Sequence, residues 1–330
     1  MLLRIATTAL FSFTALPAAA ACVGQSYLDV ITDAQRAALG ANVEAVPYAE
    51  GLTWEATRGN DTLTIVGTMH IYDPRLENIR VKVGDAVADA DLVMLEATPA
   101  EEAALQDLIV TDPGRLFIVD GPTLPELLDE DTWDMLADAA SERSIPPFMA
   151  AKMQPWYLSL MLAVPPCAMT DMIDGVRGLD HMIMQDAQAA GVPMQAIEPF
   201  TTLFDLFRDE PMADQIDMLR VNMLVPELQQ QLFVAMLDQY FAEDVGRLWE
   251  MSRIAMLDMP DVDPTEATEM FDEMEEALLN TRNRNWIPEI TQATESHDDI
   301  VIAVGAAHLI GDEGVLQLLK NEGWDITRIP

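Results

Sequence analysis

Cations are scarce in this chain of 330 residues: Lys and Arg number 18 against 56 Asp and Glu, for a formal net charge of −38. Binding a phosphate backbone requires clustered Lys and Arg that release its counterions, so this deficit excludes nucleic acid as a partner. The acidity reads instead as a solvated surface suited to a saline exterior. Only two cysteines occur, Cys22 and Cys167, at a spacing that matches neither a redox motif nor a zinc motif. Only four histidines occur, His70, His181, His297 and His308, so any pattern that uses two of them carries weight. Beyond the first 21 residues no apolar run approaches the roughly 20 residues needed to span a bilayer.

Residues 1–21 read as a secretory signal peptide, with a positive start at Arg4, an apolar stretch over 5–16 and a small-residue exit from Pro17 to Ala21. Its removal takes one cation and changes the balance to 17 minus 56, or −39. Cys22 directly after Ala21 raises lipoprotein processing as a minor route, although Ala19 stands where a lipobox usually has Leu. An even cysteine count in an exported chain makes a Cys22–Cys167 disulfide plausible, with two free, distant thiols as the alternative.

The remaining residues suffice for a sizeable core. Strand-like segments are expected at 52–55, 63–66, 92–95, 192–197, 300–304 and 325–329, with helices at 80–89 and 179–190 between them. This alternation predicts an α/β fold around a mostly parallel central sheet with crossover helices. Two segments of different texture, about 101–175 and 202–295, carry Leu, Met, Ala, Asp and Glu at helical spacing and read as largely helical, Met-rich insertions. Asp261-Val-Asp-Pro264 reads as the acidic start of a helix in the second. The methionines read as adaptable core filling.

The chain carries a near-repeat. Residues 62–70 end in Gly67-Thr-Met-His70 and residues 300–308 in Gly305-Ala-Ala-His308, each after an apolar, β-branched run suited to a buried strand. Two further strand-like runs end in carboxylates, Glu96 after 92–95 and Glu198 after 192–197. Ligands gather at the carboxyl ends of parallel strands, so His70, Glu96, Glu198 and His308 are expected at one edge of the sheet. Two His with carboxylates are a ligand set for a hydrolytic metal site, whose bound water would have a pKa of roughly 7. A His and a Glu in contact also serve as a general-base pair without metal, and the sequence leaves both routes open. Arg282, in Thr281-Arg-Asn-Arg-Asn-Trp286, is the candidate to pair with a site or substrate carboxylate. Asp180 after Gly178-Leu179 is expected to cap a helix, with pointing into the crevice as the alternative, His181 and His297 to be structural or solvated, and 311–314 to be a turn opening a helix.

These residues carry a resemblance. Gly67-Thr-Met-His70, Leu95-Glu96, Gly178-Leu-Asp180, Ile197-Glu198, Arg282-Asn283 with Trp286, and Gly305-Ala-Ala-His308-Leu-Ile-Gly311 with Gly314 resemble the TraB/GumN family, related to the Tiki metalloproteases and more distantly to erythromycin esterase and ChaN-like proteins. The resemblance implies a single α/β domain over 22–330 with helical insertions, in a periplasmic or secreted location. It implies a hydrolase, metallopeptidase-like, with His70, His308, Glu96 and Glu198 around a divalent Zn, Mn or Co ion and Arg282 orienting a peptide or small-molecule substrate. The erythromycin esterase branch instead implies a His and a Glu that activate water without metal. The competing reading is a non-catalytic periplasmic protein that holds a peptide or glycan as an accessory to polysaccharide export. Two departures are Ile197, where the family commonly has Leu, and Pro199-Phe200, where a more polar continuation is usual.

Overall fold

The computed structural model describes residues 22–208, 210–221, 226–257 and 263–330. Residues 1–21, expected to be a signal peptide, and Asp261 lie outside them.

Six strands form one mixed sheet: β1 (Thr53–Arg58), β2 (Asp61–Thr68), β3 (Leu92–Leu95), β4 (Met194–Ala196), β5 (Asp299–Gly305) and β6 (Asp325–Arg328), in the spatial order β4-β3-β5-β2-β1-β6. The pairs β4·β3, β3·β5 and β5·β2 are parallel. β1 runs antiparallel to both neighbours. All six expected strands are present, and the expected helices are Leu76–Asp89 and Leu179–Ala190. The antiparallel β1–β2 pair follows from a two-residue turn in which Gly59, at φ +68°, supplies a conformation that disfavours other residues.

All four residues of β3 and residues 300–304 of β5 are buried, so both faces of the sheet are covered. That accounts for their continuous rather than alternating apolar character. The core around them takes Val83 and Val87 from helix Leu76–Asp89, Leu179 and Ile183 from Leu179–Ala190, Trp286 and Ile290 from Thr281–Ala293, and Leu316 and Leu319 from Val315–Asn321.

The two helical segments share a core apart from that of the sheet. Leu124, Leu136, Leu158, Leu162, Ile216 and Leu219 form a cluster separate from that of the sheet. Arg143, almost fully buried, ties this region together by donating to the carbonyls of Ala139, Leu162 and Val164 and to Gln229 Oε1. Some methionines are core filling, as Met153, Met184 and Met251 are, whereas Met135 is 58% exposed. The helix at the acidic start noted above is Pro264–Glu275, with the Asp263 side chain accepting from the Thr265 N–H.

Cys22 and Cys167 are joined in a disulfide. The thiol that lipoprotein processing would modify is therefore committed to that bond. Among the described residues no helix is long and apolar enough to cross a membrane.

Connections leave the middle of the sheet in opposite directions. The crossover from β2 through Leu76–Asp89 reaches β3 on one side, and that from β5 through Val315–Asn321 reaches β6 on the other. Such a reversal opens a crevice at the carboxyl ends of the central strands.

Candidate functional site

Each strand that points into this crevice delivers one of the expected side chains. β2 stops at Thr68 with His70 two residues on, β3 at Leu95 with Glu96 next, and β4 at Ala196 with Glu198 two residues on. β5 stops at Gly305, followed by a 3-10 turn, Ala306–Leu309, that carries His308. The parallel register sets Thr68 opposite Gly305 and Leu95 opposite both Ala303 and Ala196, so these ends lie nearly level.

Arg282 draws the set together from above. Its helix, Thr281–Ala293, continues directly from a π-helical turn over Glu276–Asn280, a local widening frequent at functional sites. Its Nη2 donates to Glu96 Oε2 at 2.6 Å, and its Nε donates to both Glu198 oxygens at 3.1 and 3.2 Å. Trp286 Nε1 donates to Glu198 Oε2 at 3.0 Å. Arg282 Nη1 donates to the Leu278 carbonyl and lies 3.1 Å from His308 Nε2. A guanidinium only donates, so Nε2 is the acceptor and the His308 proton sits on Nδ1, which donates to Asn283 Oδ1 at 2.6 Å. Arg282 thus serves the protein's own carboxylates and is 6% exposed.

The two strand-end histidines differ in character. His308 is buried against Trp286, with ring centroids 4.3 Å apart. Burial lowers it to about 3, so it is neutral. The His70 side chain is 63% exposed to the crevice, with Nδ1 3.3 Å from Asp180 Oδ1. Desolvation pulls His70 down, but the Asp180 carboxylate and the charge of Glu96 outweigh it and raise it to about 9. Glu96 moves the other way. Burial favours its neutral form, yet the charges of His70 and Arg282 and the Gly305 N–H, which donates to Oε1 at 2.7 Å, hold it below the ordinary carboxylate range.

Asp180 is not the helix cap that its position suggests. Gly178 is the N-cap and makes no side-chain capping bond, while the Asp180 carboxylate lies between two imidazoles, His70 and His181. These contacts hold it well below its ordinary range against the opposing effect of burial. Backbone contact fixes the arrangement: Gly178 N donates to the His70 carbonyl at 3.0 Å and Leu179 N to the Met69 carbonyl at 2.9 Å. A Cβ on Gly178 would lie 1.9 Å from the Met69 carbonyl oxygen, so this approach requires glycine.

His70, Glu96, Asp180, Glu198 and Arg282 line a cleft of about 230 Å³, together with His181. Its other walls are mainly apolar, with Leu105, Met184, Phe200 and Phe204. His181, expected to be structural or solvated, stands in this wall, its Nε2 2.9 Å from Glu102 Oε1. The signal for it was the neighbouring Asp180, which packs against both histidines. His297 lies elsewhere, against Ser296 and the Ala293 carbonyl. The turn at 311–314 lines a separate cleft with Trp249, Arg253 and Leu279.

The donor set, as placed, does not fit a divalent metal ion. Both His308 nitrogens are engaged, by Asn283 and Arg282, and both candidate glutamates are bound to the guanidinium. His70 Nε2 alone among the expected ligand nitrogens faces the cleft uncommitted. A dication would also have to sit beside a fixed cation. Among the described residues no group of three His, Cys, Asp or Glu side chains is arranged to hold a metal.

No curated protein and no solved structure gives a significant match to the chain. A sequence model does: that of the TraB/PrgY/gumN family matches residues 52–328, from the residue before β1 to the last residue of β6. The match takes in the whole sheet and every strand-end side chain described above, and the chain belongs to the TraB/PrgY/gumN family.

Proposed function

We propose that the protein is an exported hydrolase that activates water without a metal, using Glu96 as proton acceptor and His70 as proton donor. The observation that carries this reading is the placement of His70 and Glu96 in one cleft, the imidazole 3.3 Å from the Asp180 carboxylate and the Glu96 carboxylate held by Arg282 at 2.6 Å, contacts that raise the first group and lower the second. At neutral pH one therefore holds a proton and the other does not, the arrangement that acid–base catalysis needs. The apolar walls suit an acyl substrate, an ester or a peptide. The water oxygen forms a bond to the acyl carbon as one of its protons passes to Glu96. The bond from that carbon to the leaving group breaks with its electron pair, and the leaving group takes the proton of His70. Arg282 keeps Glu96 ionised and aimed, and Asp180 keeps His70 protonated. The disulfide supports an oxidising, extracytoplasmic location.

The purified protein is expected to turn over p-nitrophenyl acetate or a set of quenched-fluorescence peptides, and to keep that turnover after dialysis against EDTA. Loss on chelation with recovery in Zn²⁺, Mn²⁺ or Co²⁺ would replace this route with a metal-assisted one. A stable, stoichiometric peptide or glycan complex without turnover would replace hydrolysis with binding.

The pH profile supplies a second test. Turnover should fall as pH rises through about 9, where His70 loses its proton. Asp180→Asn removes the carboxylate that raises His70, so the alkaline limb of kcat/KM should move to lower pH, toward the ordinary 6.5. An unmoved limb in that variant would remove His70 from the role of acid.

A further inference from the structure

We infer that the cleft selects its substrate through its walls: it seats an aromatic or large apolar group, beside the scissile acyl bond, against Phe200 and Phe204, and it turns away negative charge. The substrate class is a neutral or cationic ester or peptide with such a group. This rests on the hydrolytic reading above and adds to it the residues that set specificity.

The first observation is the aromatic wall. Strand ends supply the chemistry, whereas this wall comes from the openings of the two helical segments: Leu105 from helix Pro99–Thr111, Phe200 from just before helix Thr202–Arg208 and Phe204 from within it. Phe200 belongs to the apolar Pro199-Phe200 step after Glu198, so the stretch that delivers a carboxylate to the site delivers a ring two residues later. The Phe200 and Phe204 rings meet edge to face with centroids 6.4 Å apart, and Phe204 meets Trp156 in the same way at 5.6 Å. Trp156 is 1% exposed and not part of the cleft surface, so it fixes Phe204 from behind. Phe200 and Phe204 are themselves half-buried and keep ring surface open to the cleft. A substrate ring placed there makes the offset or edge-to-face contact that aromatic pairs prefer at centroid distances of about 4.5–7 Å. At about 230 Å³ the cleft is smaller than the roughly 300–1,000 Å³ of drug-sized sites, so it holds one such side chain and the bond beside it.

The second observation is the charge of the lining. Five carboxylates, Glu96, Glu101, Glu102, Asp180 and Glu198, stand against Arg282 and the imidazoles of His70 and His181, so anions outnumber cations even with both imidazoles protonated. The cations are also engaged: Arg282 bonds Glu96 and Glu198, His181 Nε2 lies 2.9 Å from Glu102 Oε1, and His70 Nδ1 lies 3.3 Å from Asp180 Oδ1. The other His70 nitrogen carries the proton meant for the leaving group, which an anion bound there would withhold. Arg177, whose charge acts on His181, does not line the cleft and donates to the Met172 and Val176 carbonyls. Among the described residues the cleft therefore has no guanidinium or ammonium left to receive a substrate carboxylate. The Glu102 side chain is 41% exposed and lies three residues before Leu105 on one helix face, so an arriving ligand meets its charge beside the apolar wall.

Phenethylamine, 3-phenylpropanamide and 3-phenylpropanoate share one skeleton and are cationic, neutral and anionic at neutral pH. Titrated into the purified protein and followed by ligand-observed NMR, the amine and the amide should bind at least about tenfold more tightly than the acid at low ionic strength. The gap between amine and acid should narrow in roughly 0.5 M NaCl, which screens the lining charges. Phe200→Ala should weaken the amide about 3- to 10-fold, and Phe204→Leu, which keeps an apolar side chain against Trp156, should weaken it in the same direction. Glu102→Gln should shrink the amine-to-acid ratio about threefold. In turnover, a quenched-fluorescence peptide of Gly and Ser with one Phe should show a higher kcat/KM than the same peptide without it. A Lys beside that Phe should favour cleavage over a Glu there by about tenfold.

The order of the three probes on the wild type needs no variant to fold. Equal or tighter binding of 3-phenylpropanoate would overturn the exclusion of negative charge, and unchanged affinity for the amide in both Phe200→Ala and Phe204→Leu would overturn the aromatic wall. Either result beside an inactive His70→Gln leaves the hydrolytic reading standing. Wild-type turnover in His70→Gln would overturn that reading whatever the probes do. Where no test substrate is turned over, the hydrolytic reading falls and the probes alone decide the specificity of the cleft: the expected order, weakened in Phe200→Ala, supports it, and no binding of any probe overturns it.

Discussion

Arg282→Met is expected to destabilise the protein by about 3–5 kcal/mol, the range found when one member of a buried ion pair is removed. The effect is large because the guanidinium neutralises two carboxylates at once, with Glu96 and Glu198 side chains only 16% and 10% exposed. Methionine roughly fills the space and leaves both charges without a cation. Arg282→Lys should recover only part of the loss, since an ammonium cannot reproduce the fork that bonds Glu198 through Nε and Glu96 through Nη2. The pH dependence has a definite sign. Glu96 is held low in part by this cation, so in the variant its folded-state pKa rises and the folded protein takes up that proton at a higher pH than wild type does. The variant should therefore regain stability relative to wild type as pH falls. Urea denaturation at two pH values measures both quantities, and a loss under about 1 kcal/mol would show that Arg282 is not the electrostatic centre of the site.

His70→Gln should show the opposite partition, with turnover reduced by 10²–10⁴, the usual worth of a positioned acid or base. Its stability should fall by less than that of Arg282→Met, because the ring is largely open to the cleft and solvent screens much of what its contact with Asp180 contributes. Glutamine keeps a polar group of similar reach beside Asp180 but does not transfer a proton. Melting curves and turnover on the same preparations separate the two effects. Retained turnover would remove His70 from the chemistry, whereas a collapse in stability would make it a structural residue beside Asp180.

Much of the architecture was legible in the sequence, for identifiable reasons. The strands at 92–95 and 300–304 are continuous apolar runs because both their faces are covered, and 179–190 is a helix whose bounds follow from Gly178 and Gly191. The gathering of His70, Glu96, Glu198 and His308 at one sheet edge followed from a strand-then-polar pattern that parallel pairing turns into proximity. The reversal of β1 was signalled by the Gly59-Asn60 turn, but alternation of strand and helix elsewhere favoured parallel pairing. Other features depend on side-chain direction across long separations. Arg282 reaches back over 186 residues to Glu96, and Asp180 meets His70 because Gly178 allows two backbones to touch. A pattern of residue types places a guanidinium in the neighbourhood of the site but does not say whether it faces the protein's carboxylates or a ligand's. Likewise, a histidine next to Asp180 looks solvated until the cleft wall it stands in is built.

The disulfide also governs what a cut would do to the molecule. Cys22 and Cys167 are 145 positions apart and enclose β1, β2, β3 and the first helical region in a single covalent ring. One backbone cleavage anywhere inside that ring opens it without releasing a fragment, and Cys167 stands only eleven residues before Gly178. A molecule nicked between Glu96 and Cys167 therefore retains His70 and Glu96 on one piece, Asp180, Arg282 and His308 on the other, and a tether between them. After such a cut, that tether keeps both halves of the cleft at high effective concentration until the bond is reduced.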